Sequence, residues 1–152
     1  CLDYGGYGLL AGRLDGRVRR YDVRAGRMIA DCLGEPVTSA CYSYDGHCVL
    51  AATLDSTVRL LDAEAGTLLQ EYRGHTNTDF KCDARLTHHD ANVVTGSEDG
   101  TVLVWDLVNG QVVQRLQAHA GTVMGVACHP QRDIMLTACV DGSVKVWGRA
   151  PK

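Results

Sequence analysis

Nearly the same nine-residue phrase occurs four times in the chain: Leu14-Asp15-Gly16-Arg17-Val18-Arg19-Arg20-Tyr21-Asp22, Leu54-Asp55-Ser56-Thr57-Val58-Arg59-Leu60-Leu61-Asp62, Glu98-Asp99-Gly100-Thr101-Val102-Leu103-Val104-Trp105-Asp106 and Val140-Asp141-Gly142-Ser143-Val144-Lys145-Val146-Trp147-Gly148. Successive phrases start 40, 44 and 42 residues apart. A self-similar period in this range marks an array in which each repeat is one propeller blade. That period decides the architecture.

Each repeat holds four short strand signals separated by turn residues. In the second unit Val37 to Ser43 reads as a strand ending at Tyr44-Asp45-Gly46, and Cys48 to Leu54 follows and turns at Asp55-Ser56. Thr57 to Leu61 then runs to Asp62, and after Glu64-Ala65-Gly66 the stretch Thr67 to Tyr72 completes the set. The same division puts Leu9-Leu10-Ala11, Val93-Val94-Thr95 and Ile134-Met135-Leu136-Thr137 on second strands, and Met28-Ile29, Leu68-Leu69 and Val112-Val113 on fourth strands. Inner strands lack clean alternation because neighbouring blades cover both of their faces. Frequent Gly, β-branched residues and Asp-Gly turns argue against helices. The expected class is all-β, with units at 1–34 (missing most of its first strand), 35–73, 74–117 and 118–152 (missing its outer strand).

Composition agrees with a globular chain: 45% of residues are hydrophobic and 22% charged. The longest apolar stretches are strand-sized and broken by charge, so no membrane span is expected. A net charge of −3 gives no overall attraction to polyanions. The seven cysteines include no Cys-x-x-Cys pair, and several sit in strand-like apolar runs. They read as free thiols in a reducing compartment, which points inside the cell. Nothing resembling a signal or transit segment follows Cys1. Aligning Cys1-Leu2-Asp3-Tyr4-Gly5-Gly6 with Cys41-Tyr42-Ser43-Tyr44-Asp45-Gly46 sets the start inside the first strand of a repeat.

Gly74-His75 precedes Asp99 by about two dozen residues, and Trp105-Asp106 closes the third phrase. With these residues the chain resembles the WD40 repeat family over essentially its whole length. The resemblance implies a β-propeller in which a blade-leading His, a second-strand Ser or Thr, the turn Asp and the third-strand Trp form a hydrogen-bonded tetrad. In the third unit the implied members are His75, Asp99 and Trp105 with Ser97 or Thr95, and in the fourth His119, Thr137, Asp141 and Trp147. An Asp that accepts from His and from backbone N–H groups pins its turn, and an indole N–H that finds a partner lets its rings fill the space between blades. The first two units are degenerate, with Glu35 after Gly34 where a His is expected and Tyr21 and Leu61 in place of Trp. These two blades are expected to lean on packing.

The resemblance implies about seven blades in a closed ring, so four cover only part of a circle. The chain is therefore expected to be a portion of a longer polypeptide. In the alternative, two copies join head to tail into about eight blades.

Local chemistry offers little. His88-His89-Asp90 is the one cluster resembling metal ligands, but adjacent residues of an extended or turn segment point apart and no further ligand lies at suitable spacing. Ser, His and Asp recur in each blade, which argues for structure, and no Gly-x-Ser-x-Gly elbow appears. Tyr4-Gly5-Gly6-Tyr7-Gly8 lacks the following Lys-Ser/Thr of a phosphate loop. No enzymatic activity, cofactor or metal is expected.

Arg13, Arg17, Arg19, Arg20, Arg24 and Arg27 form a basic cluster opposed only by Asp15 and Asp22. Arg17, Arg19, Arg24 and Arg27 are readily solvated at edges and turns. Arg20 occupies the position of Leu60, Val104 and Val146, and Arg13 that of Thr53, Ser97 and Cys139. A buried unpaired guanidinium is too costly to persist, so each is expected to reach Asp15, Asp22 or Glu35, or to lie open.

These observations favour a non-enzymatic interaction scaffold whose loops contact proteins or peptides. Contact residues expected from loop position are Glu35, Asn77, Asp79 and Glu98, with Arg17 and Arg19 for an acidic partner. Wording such as Leu2-Asp3-Tyr4-Gly5-Gly6-Tyr7-Gly8-Leu9-Leu10-Ala11-Gly12 and Val23-Arg24-Ala25-Gly26-Arg27-Met28 is similar to one WD-repeat scaffold of that family. That likeness implies partners among signalling kinases or splicing factors, in cytoplasm and nucleus. The rival reading is an RNA-proximal ribonucleoprotein component that contacts phosphates through the first blade.

Overall fold

The computed structural model describes residues 7–148. The strand expected to begin at Cys1 lies outside them. Fourteen strands form four antiparallel sheets among the described residues. The first holds β1 (Gly8–Gly12), β2 (Arg17–Asp22) and β3 (Arg27–Cys32), and the second β4 (Val37–Tyr42), β5 (Cys48–Thr53), β6 (Thr57–Asp62) and β7 (Leu68–Arg73). The third holds β8 (Ala84–Leu86), β9 (Asn92–Gly96), β10 (Thr101–Asp106) and β11 (Val112–Gln117). The fourth holds β12 (Val123–Cys128), β13 (Ile134–Cys139) and β14 (Val144–Gly148). Every sheet is an up-and-down meander in chain order.

Three apolar layers weld the sheets in sequence. Leu10 and Val18 of the first pack on Val37, Val49, Ala51 and Leu61 of the second. Cys41, Leu50, Ala52, Val58, Leu60 and Tyr72 meet Ala84, Val93, Leu103 and Trp105 of the third. Val94 and Val102 then meet Val123 and Val126 of the fourth, with Met135 and Trp147 at the margin. The inner strand β5 buries Val49, Leu50, Ala51 and Ala52 in an unbroken run because a neighbouring sheet covers each face. The outermost strand β3 is exposed along most of its length.

Turn chemistry repeats with the sheets. Where the third strand ends, an Asp carboxylate accepts two backbone N–H groups: Asp22 from Arg24 and Ala25, Asp62 from Glu64 and Ala65, Asp106 from Val108 and Asn109. Asx turns of this kind account for the Asp that closes the first three phrases. Between second and third strands the chain needs a left-handed residue. Gly100 supplies it with φ +80°, and a Cβ there would fall 2.3 Å from the His119 carbonyl oxygen. In the second sheet Ser56 takes the same role at φ +57° and offsets its strain with a hydroxyl that accepts the Asn77 N–H at 2.9 Å. Among the described residues no helix is long and apolar enough to cross a membrane.

Candidate functional site

The turns after the second strands and the connections between sheets share one face of the arc, fastened by a recurring pair of main-chain bonds. Leu54 N donates to Pro36 O, Glu98 N to Thr76 O and Val140 N to Thr122 O, at 2.9 to 3.0 Å. Leu33 N donates to Gly16 O, Ser56 N to Asn77 O and His119 N to Gly100 O. Each turn is thereby tied to the connection leading into or out of its own sheet. This face consists of rigidly held loops.

On the fourth sheet the implied tetrad residues are joined in a chain. The Trp147 indole N–H donates to the Thr137 hydroxyl at 2.9 Å, and that hydroxyl lies 2.8 Å from His119 Nε2. His119 Nδ1 lies 3.0 Å from the Ser143 hydroxyl, and Asp141 accepts the Ser143 N–H at 2.8 Å. The Ser143 hydroxyl, its backbone N–H and the Cys139 thiol hold the Asp141 carboxyl down at about 2. His119 thus reaches Asp141 through Ser143, a member that the family resemblance does not supply. Thr137 and His119 are buried. Thr137→Val keeps the shape but strips both Trp147 and His119 of a partner, which should lower the unfolding free energy by about 1–3 kcal/mol in urea denaturation.

The third sheet departs from expectation. His75, Trp105, Ser97 and Asp99 lie close together, yet neither ring nitrogen of the buried His75 has a hydrogen-bond partner. The Trp105 N–H donates to the Arg73 carbonyl at 3.2 Å. Thr95 directs its hydroxyl to the carbonyls of Asp83 and Gly96, while the Ser97 hydroxyl accepts the Thr76 N–H at 2.9 Å. With both candidate hydroxyls engaged by main chain, the His75 ring stands edge-on to the indole with centroids 5.7 Å apart. The hydrogen-bonded tetrad expected here is replaced by an aromatic contact.

Burial pushes the His75 imidazole down to about 4, against the pull of Asp55, Asp99 and Glu98. Unfolded, the same group titrates near its ordinary 6.5. Above that value both states are neutral and protonation of His75 makes no contribution to stability. As pH falls from about 6.5 towards 4 the unfolded chain takes the proton first, so stability is lost across that window by roughly 3 kcal/mol. His75→Phe should remove this component. Urea midpoints compared at pH 7 and pH 4.5 test it, since Asp55 and Asp141, both held at about 2, titrate below the window.

Where His and Trp are missing, an ion pair stands in. In the second sheet Arg59 reaches Asp55 at 2.6 Å, the Thr53 hydroxyl at 2.6 Å and Glu71 at 3.3 Å. Burial opposes ionisation of Asp55, but Arg59 and Thr53 outweigh it and hold the carboxyl at about 2. In the first sheet Arg19 and Asp15 meet at 2.7 Å. The degenerate blades therefore do not rely on packing alone. Their third strands carry Arg19 and Arg59 where the other two carry Leu103 and Lys145.

The buried Arg20 reaches Asp31 at 2.9 Å and none of the acids expected from the sequence. Asp31 sits on β3, directly across from Val18, and the pairing of β2 with β3 brings it beside Arg20. Arg13 is exposed. The expected surface contacts divide in the same way. Arg17, Glu35 and Asp79 are exposed, whereas Arg19 is committed to Asp15. Asn77 is fully buried and unavailable to a partner: its amide donates to the Thr38 hydroxyl at 3.2 Å and the Thr53 carbonyl at 3.4 Å. Glu98 is a pin for a loop. Its Oε1 accepts the N–H groups of Thr78, Asp79 and Phe80 at 2.6, 2.8 and 3.0 Å. Burial works against its charge, but those N–H groups win and keep the carboxyl below the usual range.

Contrary to the expectation that they point apart, His88 and His89 bring their imidazoles to 3.5 Å because the short 3-10 turn His88–Asp90 places His89 at φ +62°, and Asp90 accepts the Tyr44 N–H at 2.7 Å across to the neighbouring sheet. The described residues that bring three metal-type donors together are His119, Cys139 and Asp141, within 4.8 Å of one another. Both ring nitrogens of His119 are already occupied by hydroxyls, so this trio serves the tetrad. The six described cysteines are free thiols.

Comparisons with known proteins agree with this geometry. The WD domain, G-beta repeat model matches residues 28–62, 66–106 and 110–148. WD repeat domain-containing protein 83 of Rattus norvegicus is 48% identical over 139 residues, which cover 91% of this chain and 44% of the relative. The protein of that name from Homo sapiens is 49% identical over 128 residues, 84% of this chain and 40% of the relative. The chain thus spans less than half the length of these curated relatives. They bear out the closer likeness read from the sequence, to the mitogen-activated protein kinase organizer. Among solved structures the computationally designed Ika4 protein superposes with a TM-score of 0.80 over 98% of this chain and 89% of that one, at 24% identity, a likeness of fold alone. WD-repeat proteins are generally non-enzymatic scaffolds for protein interaction. Blade-length repeats, meander sheets stacked in sequence and matched repeat models together make this chain a member of the WD40 repeat family.

Proposed function

We propose that the chain is a non-enzymatic scaffold that presents protein or peptide partners with side chains from the face bearing its fastened turns. The observation that carries this reading is the regular bonding of those turns, which leaves Arg17, Glu35 and Asp79 exposed on a hydrogen-bonded frame. Kinship with the kinase organizer supports service to a mitogen-activated kinase cascade, to the spliceosome, or to both, in cytoplasm and nucleus. Free cysteines suit such reducing compartments. Affinity purification from cells with mass identification of the bound proteins tests the assignment. Kinases of one cascade or splicing factors are the expected catch, and their joint absence from a folded bait would overturn it.

The same reading gives the fourth sheet a further blade as neighbour. Leu136, Val144 and Val146, 41%, 63% and 70% exposed, hold the positions that Leu50, Val58 and Leu60 hold beneath the third sheet. Additional repeats of a longer chain would cover this face, and the curated relatives have the length to supply them; a second copy is the other source. Light scattering separates the two, since a paired ring has twice the mass of one chain.

A further inference from the structure

Beside the first sheet, on the face of the fastened turns, lies a groove of about 520 Å³. Its walls come from the turn after β1 (Arg13, Leu14), the start of β4 (Val37) and the long connection before β8 (Phe80, Lys81). Leu14 is 74% exposed and Phe80 42% exposed, so the groove offers apolar contact to something outside the chain. Arg13 and Lys81 are exposed. Among the described residues neither side chain has a hydrogen bond or ion pair. Of the two acids on the groove, Asp15 is ion-paired with Arg19 and also feels Arg13, and Asp79 accepts the Thr78 hydroxyl at 3.3 Å, so the two cations outnumber the acids that lack an ion pair. The Phe80 wall is also fixed in advance: three N–H groups of residues 78–80 converge on one oxygen of Glu98. A preformed wall spares a ligand the cost of ordering it.

We infer that this groove binds a short acidic peptide segment, with a large apolar side chain seated against Leu14 and Phe80 and adjacent carboxylates facing Arg13 and Lys81. The inference rests on the scaffold reading and names the chemistry of one of its partners. Lys81 and Thr38 also border the cleft along the first strands, where Arg85 lies, so an extended segment can continue inward from the groove. Each face of the proposal has a counterpart in the ligand: free cations for carboxylates, exposed Leu and Phe for an apolar anchor.

The test uses the intact chain and fluorescence anisotropy with three labelled probes: a peptide that places Leu and Phe among glutamates, the same peptide with glutamines, and a single-stranded oligouridine. The acidic peptide should bind, and the double variant Arg13→Ala, Lys81→Ala should weaken it by roughly tenfold or more, with an unchanged thermal midpoint because both residues are exposed. Arg24→Ala, remote from the groove, should leave binding unaltered. Failure of the acidic peptide to bind, equal binding of the glutamine peptide, tighter binding of the RNA, or full affinity in the double variant would each overturn the inference. The purification described above reports independently on the scaffold reading: a double variant that still captures its partners sinks the groove assignment and leaves the scaffold standing.

Discussion

Trp105→Ala should destabilise the chain by about 3–5 kcal/mol, the range for emptying a fully buried aromatic site. Trp105 is wholly inaccessible and lies among Val93 and Leu103 of its own sheet and Leu50, Leu60 and Tyr72 of the preceding one. Its ring centroid is 6.0 Å from that of Tyr72 and 5.7 Å from that of His75. Truncation opens a void in the apolar layer between two sheets whose strands are held by their own hydrogen-bonded ladders, so little collapse can relieve it. The Arg73 carbonyl also loses its indole donor. Trp105→Phe keeps most of the volume and should cost less, with the lost hydrogen bond contributing about 1 kcal/mol. Trp147→Ala should fall below Trp105→Ala, because Trp147 is only partly covered. Urea midpoints of the three variants check the order, and equal losses at both tryptophans would contradict it.

Asp31→Ala should be comparably severe, at about 3–5 kcal/mol, since it removes the one acid seen in contact with the buried Arg20 guanidinium among the described residues. Arg20 is 7% exposed; among the described residues the acid in contact with it is Asp31 at 2.9 Å, a charge pairing without hydrogen-bond alignment, and Asp62 feels its charge from farther off. The double variant Arg20→Leu, Asp31→Leu should recover most of that loss or exceed the parent, because replacing a buried ion pair by apolar groups of similar volume is often neutral or stabilising. Equivalent positions in the other sheets, Leu60, Val104 and Val146, already carry such residues. Gly66 bears on the same pair. A Cβ there would lie 2.1 Å from the Asp31 carboxylate, so Gly66→Ala must displace the acid, and its φ of +70° adds strain. Double-mutant analysis by chemical denaturation decides whether the pair or the backbone dominates.

The strand pattern was legible because turn chemistry is local. An Asp that gathers the next two or three backbone N–H groups, as Asp62 and Asp106 do, leaves its signature within a few residues of sequence. Strand edges shifted by single residues, as at β7, which runs Leu68–Arg73 and not Thr67 to Tyr72. What escaped was the assignment of hydrogen bonds among residues that meet only in three dimensions. Ser97 and Thr95 have the right type and spacing for His75, but the connection before β8 is longer than its counterpart before β12, and its carbonyls and N–H groups claim both hydroxyls. Arg20 pairs across to the next strand, with an acid that sequence proximity did not favour. Asn77 and Glu98 were sought as surface contacts because polar residues in loops usually face water. Here each caps main chain inside the turn, a role that only the folded path of residues 75–81 creates.

The arrangement of sheets stacked face to face depends above all on what surrounds the indole of Trp105. The chain has two tryptophans, so Trp147→Phe leaves Trp105 as the sole reporter. Steady-state fluorescence with acrylamide quenching should give blue-shifted emission almost immune to the quencher. Emission at the water-exposed end of the indole range, quenched as freely as in urea, would contradict the stacked-sheet account.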